Sequence, residues 1–149
     1  MSKTITFRGQ LPIGEQDRIR LRTLKGKVGY KITKFQTISS APNVTAHDEV
    51  ITKIFKKDQT GSITSTIDFT DSDLLAVAYY EDNDQPAYTA SQYVIFDNET
   101  FNQDIFIYSA DVGGGTKPIN YYIEIEAMPL SDIESTMLTL KSLRTVTSR

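Results

Sequence analysis

Polar and apolar residues alternate with a period of two in short stretches along most of this chain, and that period constrains the fold more than any other feature. Successive residues of extended backbone point to opposite faces, so such a stretch has one wet face and one buried face. Nine segments of this kind lie near Thr4–Arg8, Asp17–Thr23, Gly29–Ile38, Glu49–Lys56, Ile63–Phe69, Leu74–Glu81, Gln92–Asp97, Gln103–Ser109 and Asn120–Met128. The sixth is nearly all apolar with two tyrosines, which predicts a strand covered on both faces. Lys25-Gly26-Lys27 and Gln59-Thr60-Gly61 read as hairpin tips, and Asp82-Asn83-Asp84-Gln85-Pro86 as a longer polar loop. Many short strands with almost no helix between them predict an all-β protein: an antiparallel β-sandwich of eight or nine strands, with a jelly roll the first choice, and one C-terminal helix. A chain of 149 residues suits a single domain spanning 1–149, whose folding buries roughly 70% of the surface of the unfolded chain.

The exception to the period comes late. After Pro129, Ser131 and Glu134 stand in the S-x-x-E arrangement in which hydroxyl and carboxylate satisfy each other's backbone donors at a helix start. Ile133, Met137, Leu140 and Leu138, Leu143 follow at helical spacing, with Lys141 and Arg144 near the negative end of the dipole. These residues predict a helix over about 131–145 whose apolar stripe packs on the chain's own sandwich. The opening Met1–Arg8 alternates like a first strand and lacks the apolar core of a secretory signal. The longest apolar run, Leu74 to Tyr80, is far shorter than the roughly 20 residues that span a bilayer, so no membrane partner is expected.

Charge divides the chain in two. Residues 1–57 hold twelve Lys/Arg against four Asp/Glu, whereas residues 58–149 hold four against fifteen. Segments of opposite sign can meet within one fold or between neighbouring copies, so the split is a signal of pairing rather than of reaction. Arg18, Arg20 and Arg22 occupy alternate positions and project from one face of an extended segment, and Lys25, Lys27, Lys31 and Lys34 extend the patch. Such a cluster can neutralise a phosphate backbone. It can equally form a surface charge ladder with Glu124 and Glu126, which share one face of their own strand. Arg18, Arg20, Arg22, Lys25, Lys27, Glu124 and Glu126 are therefore the candidate partner-binding residues.

Groups suited to catalysis are few. The one histidine, His47, has Asp48 beside it, and extended backbone would turn the two side chains to opposite sides. Glu124 and Glu126 could serve as a glycosidase pair, but a single strand sets their Cα atoms about 7 Å apart on one environment. The acidic turns at Asp71 and Asp73, at Glu81-Asp82-Asn83-Asp84 and at Asp97-Asn98-Glu99 lack the spacing of a calcium loop. Gly113-Gly114-Gly115-Thr116-Lys117 leads into Pro118 rather than the Ser/Thr and helix of a phosphate loop. Asn43-Val44-Thr45 and Asn98-Glu99-Thr100 match the glycosylation pattern by chance. With no cysteine, the chain has neither a disulfide framework nor a thiolate metal site. No cofactor is expected.

Five segments carry a resemblance. Gly9-Gln10-Leu11-Pro12-Ile13-Gly14, Gly29-Tyr30-Lys31-Ile32-Thr33-Lys34-Phe35, Asp68-Phe69-Thr70-Asp71-Ser72-Asp73-Leu74-Leu75-Ala76-Val77, Phe96-Asp97-Asn98-Glu99-Thr100-Phe101-Asn102-Gln103-Asp104, and Tyr121-Tyr122-Ile123-Glu124-Ile125-Glu126 with Leu138-Thr139-Leu140-Lys141-Ser142-Leu143-Arg144 resemble segments of small uncharacterised proteins of marine bacteriophages. The resemblance implies a virion-associated β-sandwich and brings no catalytic motif. The expected function is accordingly a non-enzymatic structural protein of a phage particle: a multi-copy, capsid-associated component that contacts copies of itself and other virion proteins and is assembled in the host cytoplasm. The alternatives are a head-tail connector or tail component, a nucleic-acid-binding protein using the arginine row, and a carbohydrate-active enzyme using carboxylates.

Overall fold

The computed structural model describes residues 2–41, 48–82, 89–96, 99–112 and 116–147. His47, Asn83 to Pro86, Asp97, Asn98, Gly113 to Gly115 and the sequon at 43–45 lie outside the described residues. Eight strands and one helix follow in the order β1 (Lys3–Leu11), β2 (Gln16–Ile19), β3 (Val28–Ser39), β4 (Asp48–Phe55), β5 (Leu74–Asp82), β6 (Thr89–Ile95), β7 (Ile105–Asp111), β8 (Ile119–Pro129) and α1 (Asp132–Thr147). They form two antiparallel sheets, β1-β8-β3 and β2-β7-β4-β5-β6. First strand pairs with last and second with penultimate, the nesting of a jelly roll, with one departure: β6 pairs with β5 and joins the larger sheet instead of lying beside β3.

Inward side chains of both sheets meet in one core. Ile123 and Ile125 of β8, Phe35 of β3, Ile54 of β4, and Ile105 and Ile107 of β7 are all buried there. In β3 the apolar spacing changes phase, from Tyr30 and Ile32 to Phe35, because a bulge between Ile32 and Lys34 inserts Thr33 and keeps Phe35 opposite Ile123. Tyr121 crosses the sandwich at its other side. Gly9 lies opposite it, so its ring passes β1 and its hydroxyl donates to Asp17 at 3.1 Å. Burial and the Asp17 carboxylate push that phenol up to about 12.

β5 is buried on both faces, as its composition predicts. The second cover is the connection 56–73, which seats Ile63 against Phe55, Leu74, Val77 and Tyr108 on the outer side of the large sheet. The strand expected at Ile63–Phe69 does not form. Hydroxyls and carboxylates two residues back accept its backbone donors instead, Thr64 from Thr66 N at 3.2 Å, Asp68 from Thr70 N at 2.9 Å and Asp71 from Asp73 N at 2.9 Å, and such local bonds outcompete a ladder. Gln59-Thr60-Gly61 and Lys25-Gly26-Lys27 do turn, with Gly61 and Gly26 at φ 84° and 63°, but neither joins paired strands. The first opens the long cover and the second lies between β2 and β3, which belong to different sheets.

A Cβ at Gly9 would stand 2.7 Å from the Tyr121 hydroxyl oxygen and 2.8 Å from its ring. Gly9→Ala is expected to lower unfolding free energy by about 1–3 kcal/mol, and Tyr121→Phe by about 0.5–1.5 kcal/mol, both read from urea denaturation.

Candidate functional site

The basic loop and the helix are held by one short segment, Glu99–Asp104, that runs into β7. Asp104 does most with least area. Its Oδ1 accepts from Leu21 N and Arg22 N at 2.8 Å each, and its Oδ2 from Arg18 Nε at 2.8 Å and Nη2 at 2.6 Å. Those two backbone donors are lost to any ladder, which explains why β2 stops at Ile19 although the alternation continues to Arg22. Partial burial pushes the Asp104 carboxyl up, but hydrogen bonds from Arg22 N, Arg18 and Leu21 N, with the guanidinium charge, outweigh it and hold it below the usual carboxylate range.

Two residues earlier, Asn102 is 1% exposed. Its Nδ2 donates to Gly26 O and Thr139 Oγ1 at 3.0 Å each, with Ser135 O at 3.5 Å. One buried amide thus ties the loop to α1. Phe101 exchanges two backbone hydrogen bonds with Tyr30, and Glu99 accepts from Lys56 at 2.6 Å and Lys141 at 3.3 Å. Burial raises the Glu99 carboxyl, yet the two ammonium groups lower it further than burial lifts it. The helix start follows the expected reciprocal cap, Ser131 N to Glu134 Oε1 at 3.1 Å and Glu134 N to Ser131 Oγ at 3.2 Å.

The predicted partner-binding residues separate into two places. Arg18, Arg20 and Arg22 lie on the β2 side of the large sheet, where Arg18 also approaches the Phe106 ring at 5.8 Å. Glu124 and Glu126 lie on β8 of the small sheet, opposite Thr6 and Thr4 on one side and Lys34 and Lys31 on the other. The arginine row and the glutamates are therefore not cross-strand partners, because β2 pairs with β7 and never with β8. Glu124 accepts from the Tyr122 hydroxyl at 2.9 Å and stands 3.9 Å from Lys34 Nζ. Lys27 pairs with Asp132 at 2.7 Å.

These contacts also resolve much of the charge split. Arg18–Asp104, Lys27–Asp132, Lys34–Glu124, Lys56–Glu99 and Lys57–Asp73 each join the basic first part of the chain to the acidic remainder. Arg20, Arg22 and Lys25 are exposed and have no ion pair among the described residues. Between them Leu24 stands fully in solvent at the turn. A cavity runs beside this turn, lined by Arg22, Leu24, Lys25, Gln103 and, from the helix, Thr139.

The helix turns Leu138 of its expected stripe inward but leaves three of the other apolar residues outside. Ser135, Leu138 and Thr139 face the sandwich, while Ile133, Met137 and Leu140 are 74%, 64% and 54% exposed. Asn102 holds the inward face through Ser135 and Thr139, and Ile133, Met137 and Leu140 look outward.

Sequence reasoning did not single out Asn102 and Asp104, since a lone amide and a lone carboxylate before a strand carry no spacing signal. Lys53 was equally hidden. It is 3% exposed on the outer side of β4, donates to Thr66 O and lies 5.5 Å over the Tyr108 ring. Burial pushes its ammonium down, with Asp71 and Asp68 opposing. Among the described residues no cluster of three or more His, Cys, Asp or Glu could hold a metal ion, and no helix is long and apolar enough to cross a membrane. No protein-family model matches the chain, and no curated protein matches it.

Asp104→Ala would leave the Leu21 and Arg22 donors without their acceptor, at about 2–3 kcal/mol in chemical denaturation. Because the folded-state carboxyl titrates below its ordinary value of 3.8, its contribution is present above that value and is lost as pH falls beneath it. Melting followed from pH 6 down to about pH 2 should fall less steeply in the variant than in the wild type.

Proposed function

We propose that this chain is a non-enzymatic structural protein of a marine bacteriophage particle, a capsid-associated component present in many copies and localised in the virion. The observation that carries the reading is the surface formed by the 20–27 loop and α1. Three cations with no ion pair among the described residues, a fully exposed leucine and the outward Ile133, Met137 and Leu140 of the helix are fixed in place by Asp104 and Asn102. A protein keeps such a surface for contact with other macromolecules, since exposed charge steers and selects a partner while apolar area supplies adhesion. The segment resemblance to small phage proteins supports placing those contacts in a particle.

Nucleic acid is the second reading, favoured by the same exposed Arg20, Arg22 and Lys25. One pair of substitutions separates the two. Arg20→Glu with Arg22→Glu leaves the Asp104 contacts to Arg18 and to the backbone untouched, so the variant should melt within a few degrees of the wild type. If the loop contacts acidic surface on a neighbouring virion protein, occupancy in purified particles should fall at least tenfold, and added salt should weaken the wild-type contact because screening acts within about 8–10 Å. Unchanged occupancy with lost DNA retention by the isolated protein would transfer the loop to nucleic acid. Density confined to a ring of fixed order would place the protein at the connector or tail.

A further inference from the structure

On the outer face of the small sheet the register places six side chains in two rows: Arg8, Tyr122 and Gln36 stand abreast on β1, β8 and β3, and Gln10, Asn120 and Ile38 stand abreast one pleat further on. Strand spacing and the two-residue repeat make this grid about 10 Å by 7 Å. Asn120, shorter than its neighbours, sinks the middle of it, and a cavity of about 440 Å³ opens there, lined by Arg8, Gln36, Ile38, Asn120 and Tyr122. That volume falls within the roughly 300–1,000 Å³ of small-molecule sites. Ile38, 57% exposed, and the Tyr122 ring are its apolar walls. The Tyr122 hydroxyl donates to Glu124 at 2.9 Å, two positions along the same face, so the ring lies along the strand instead of standing away from it. Lys34 Nζ stands 5.8 Å from the ring centre and 3.9 Å from Glu124.

The polar groups of the cavity are planar. Gln10 Nε2 donates to Asn120 Oδ1 at 3.1 Å, which leaves the Asn120 NH2 group to donate. Gln36 is exposed and offers an acceptor and two donors. Arg8 is exposed and has no ion pair among the described residues, whereas Glu124 and Glu126 stand opposite Lys34 and Lys31. We infer that this face binds an acidic saccharide, a pyranose ring bearing a carboxylate. Such a ring is apolar on its faces and polar around its edge, which matches apolar walls with amides between them. Hydroxyls, each donor and acceptor, suit Gln36 and Asn120. A guanidinium takes a carboxylate through two parallel hydrogen bonds, which a hydroxyl cannot reciprocate. Arg8 therefore selects an acidic sugar over a neutral one, and the amides select a sugar over a plain carboxylate. The site lies at the far end of β3 from the 20–27 turn, and it does not depend on the particle reading.

The test titrates D-glucuronate into the isotope-labelled full chain and follows amide chemical shifts, with glucose as the sugar without a carboxylate and acetate as the carboxylate without a sugar. One ring in an open cavity should bind glucuronate with a dissociation constant on the order of 1 mM. Glucose and acetate should bind at least about tenfold more weakly. The shifts should gather at Arg8, Gln36, Ile38, Asn120 and Tyr122. Arg8→Gln should weaken glucuronate at least about tenfold and bring it level with glucose, and Gln36→Ala should weaken both sugars severalfold. Both side chains are exposed, so the variants keep the wild-type melting curve. Arg20→Glu with Arg22→Glu should leave the binding unchanged. Acetate bound as tightly as glucuronate, glucuronate no tighter than glucose, shifts gathered at the 20–27 turn, or no shift at about 20 mM glucuronate would each overturn the proposal.

Discussion

The Asp104 carboxylate and the Asn102 amide govern where everything on one side of this molecule lies. A carboxylate that accepts four hydrogen bonds from two backbone amides and one guanidinium is worth more than the exposed ion pair it includes, because unmaking it also leaves two backbone donors without their acceptor. It ends β2, turns the chain away from its ladder and starts the crossing to the other sheet. Asn102 then joins that crossing to α1. The basic turn and the helix are thus surface features with a buried cause, and they keep a fixed relation to each other.

Their fixed relation also changes the meaning of the charge split. Part of the opposition between the two parts of the chain is met within the fold, in contacts such as Lys57–Asp73, where both side chains are 7% exposed, and Lys56–Glu99. A buried pair of this kind sets which segments meet more than it adds stability. At the 20–27 turn Arg20, Arg22 and Lys25 stay exposed, with no ion pair among the described residues.

Legibility in the sequence tracked how local each cause was. β5 was readable because a strand covered on both faces needs apolar residues at consecutive positions, and Leu74 to Ala78 supply them. The cap at Ser131 and Glu134 was readable because both partners lie within one turn. Ile63–Phe69 misled because its alternation is made by Thr, Ser and Asp, whose side chains bond their own backbone. Arg18 and Glu124 could not be separated in advance, since their relation depends on which strands share a sheet. The helix misled for a similar reason: a stripe at helical spacing says that one face is apolar, and only the distant Asn102 decides which face turns inward. The particle assignment itself stands on the segment resemblance and remains a proposal to be tested in the virion.

The place of β6 has one more consequence. By pairing with β5 it leaves the twelve-residue β3 at the border of the small sheet, and among the described residues the open side is bridged at Tyr30, by Phe101. A row of amides and carbonyls at a sheet edge invites another chain to add a strand. Here the row is interrupted by the bulge at Thr33 and bracketed by Lys31 and Lys34, so a flat incoming strand meets a twist and two ammonium groups. Edge-to-edge addition of a further chain is thereby disfavoured, and with it the open-ended stacking that leads to fibres.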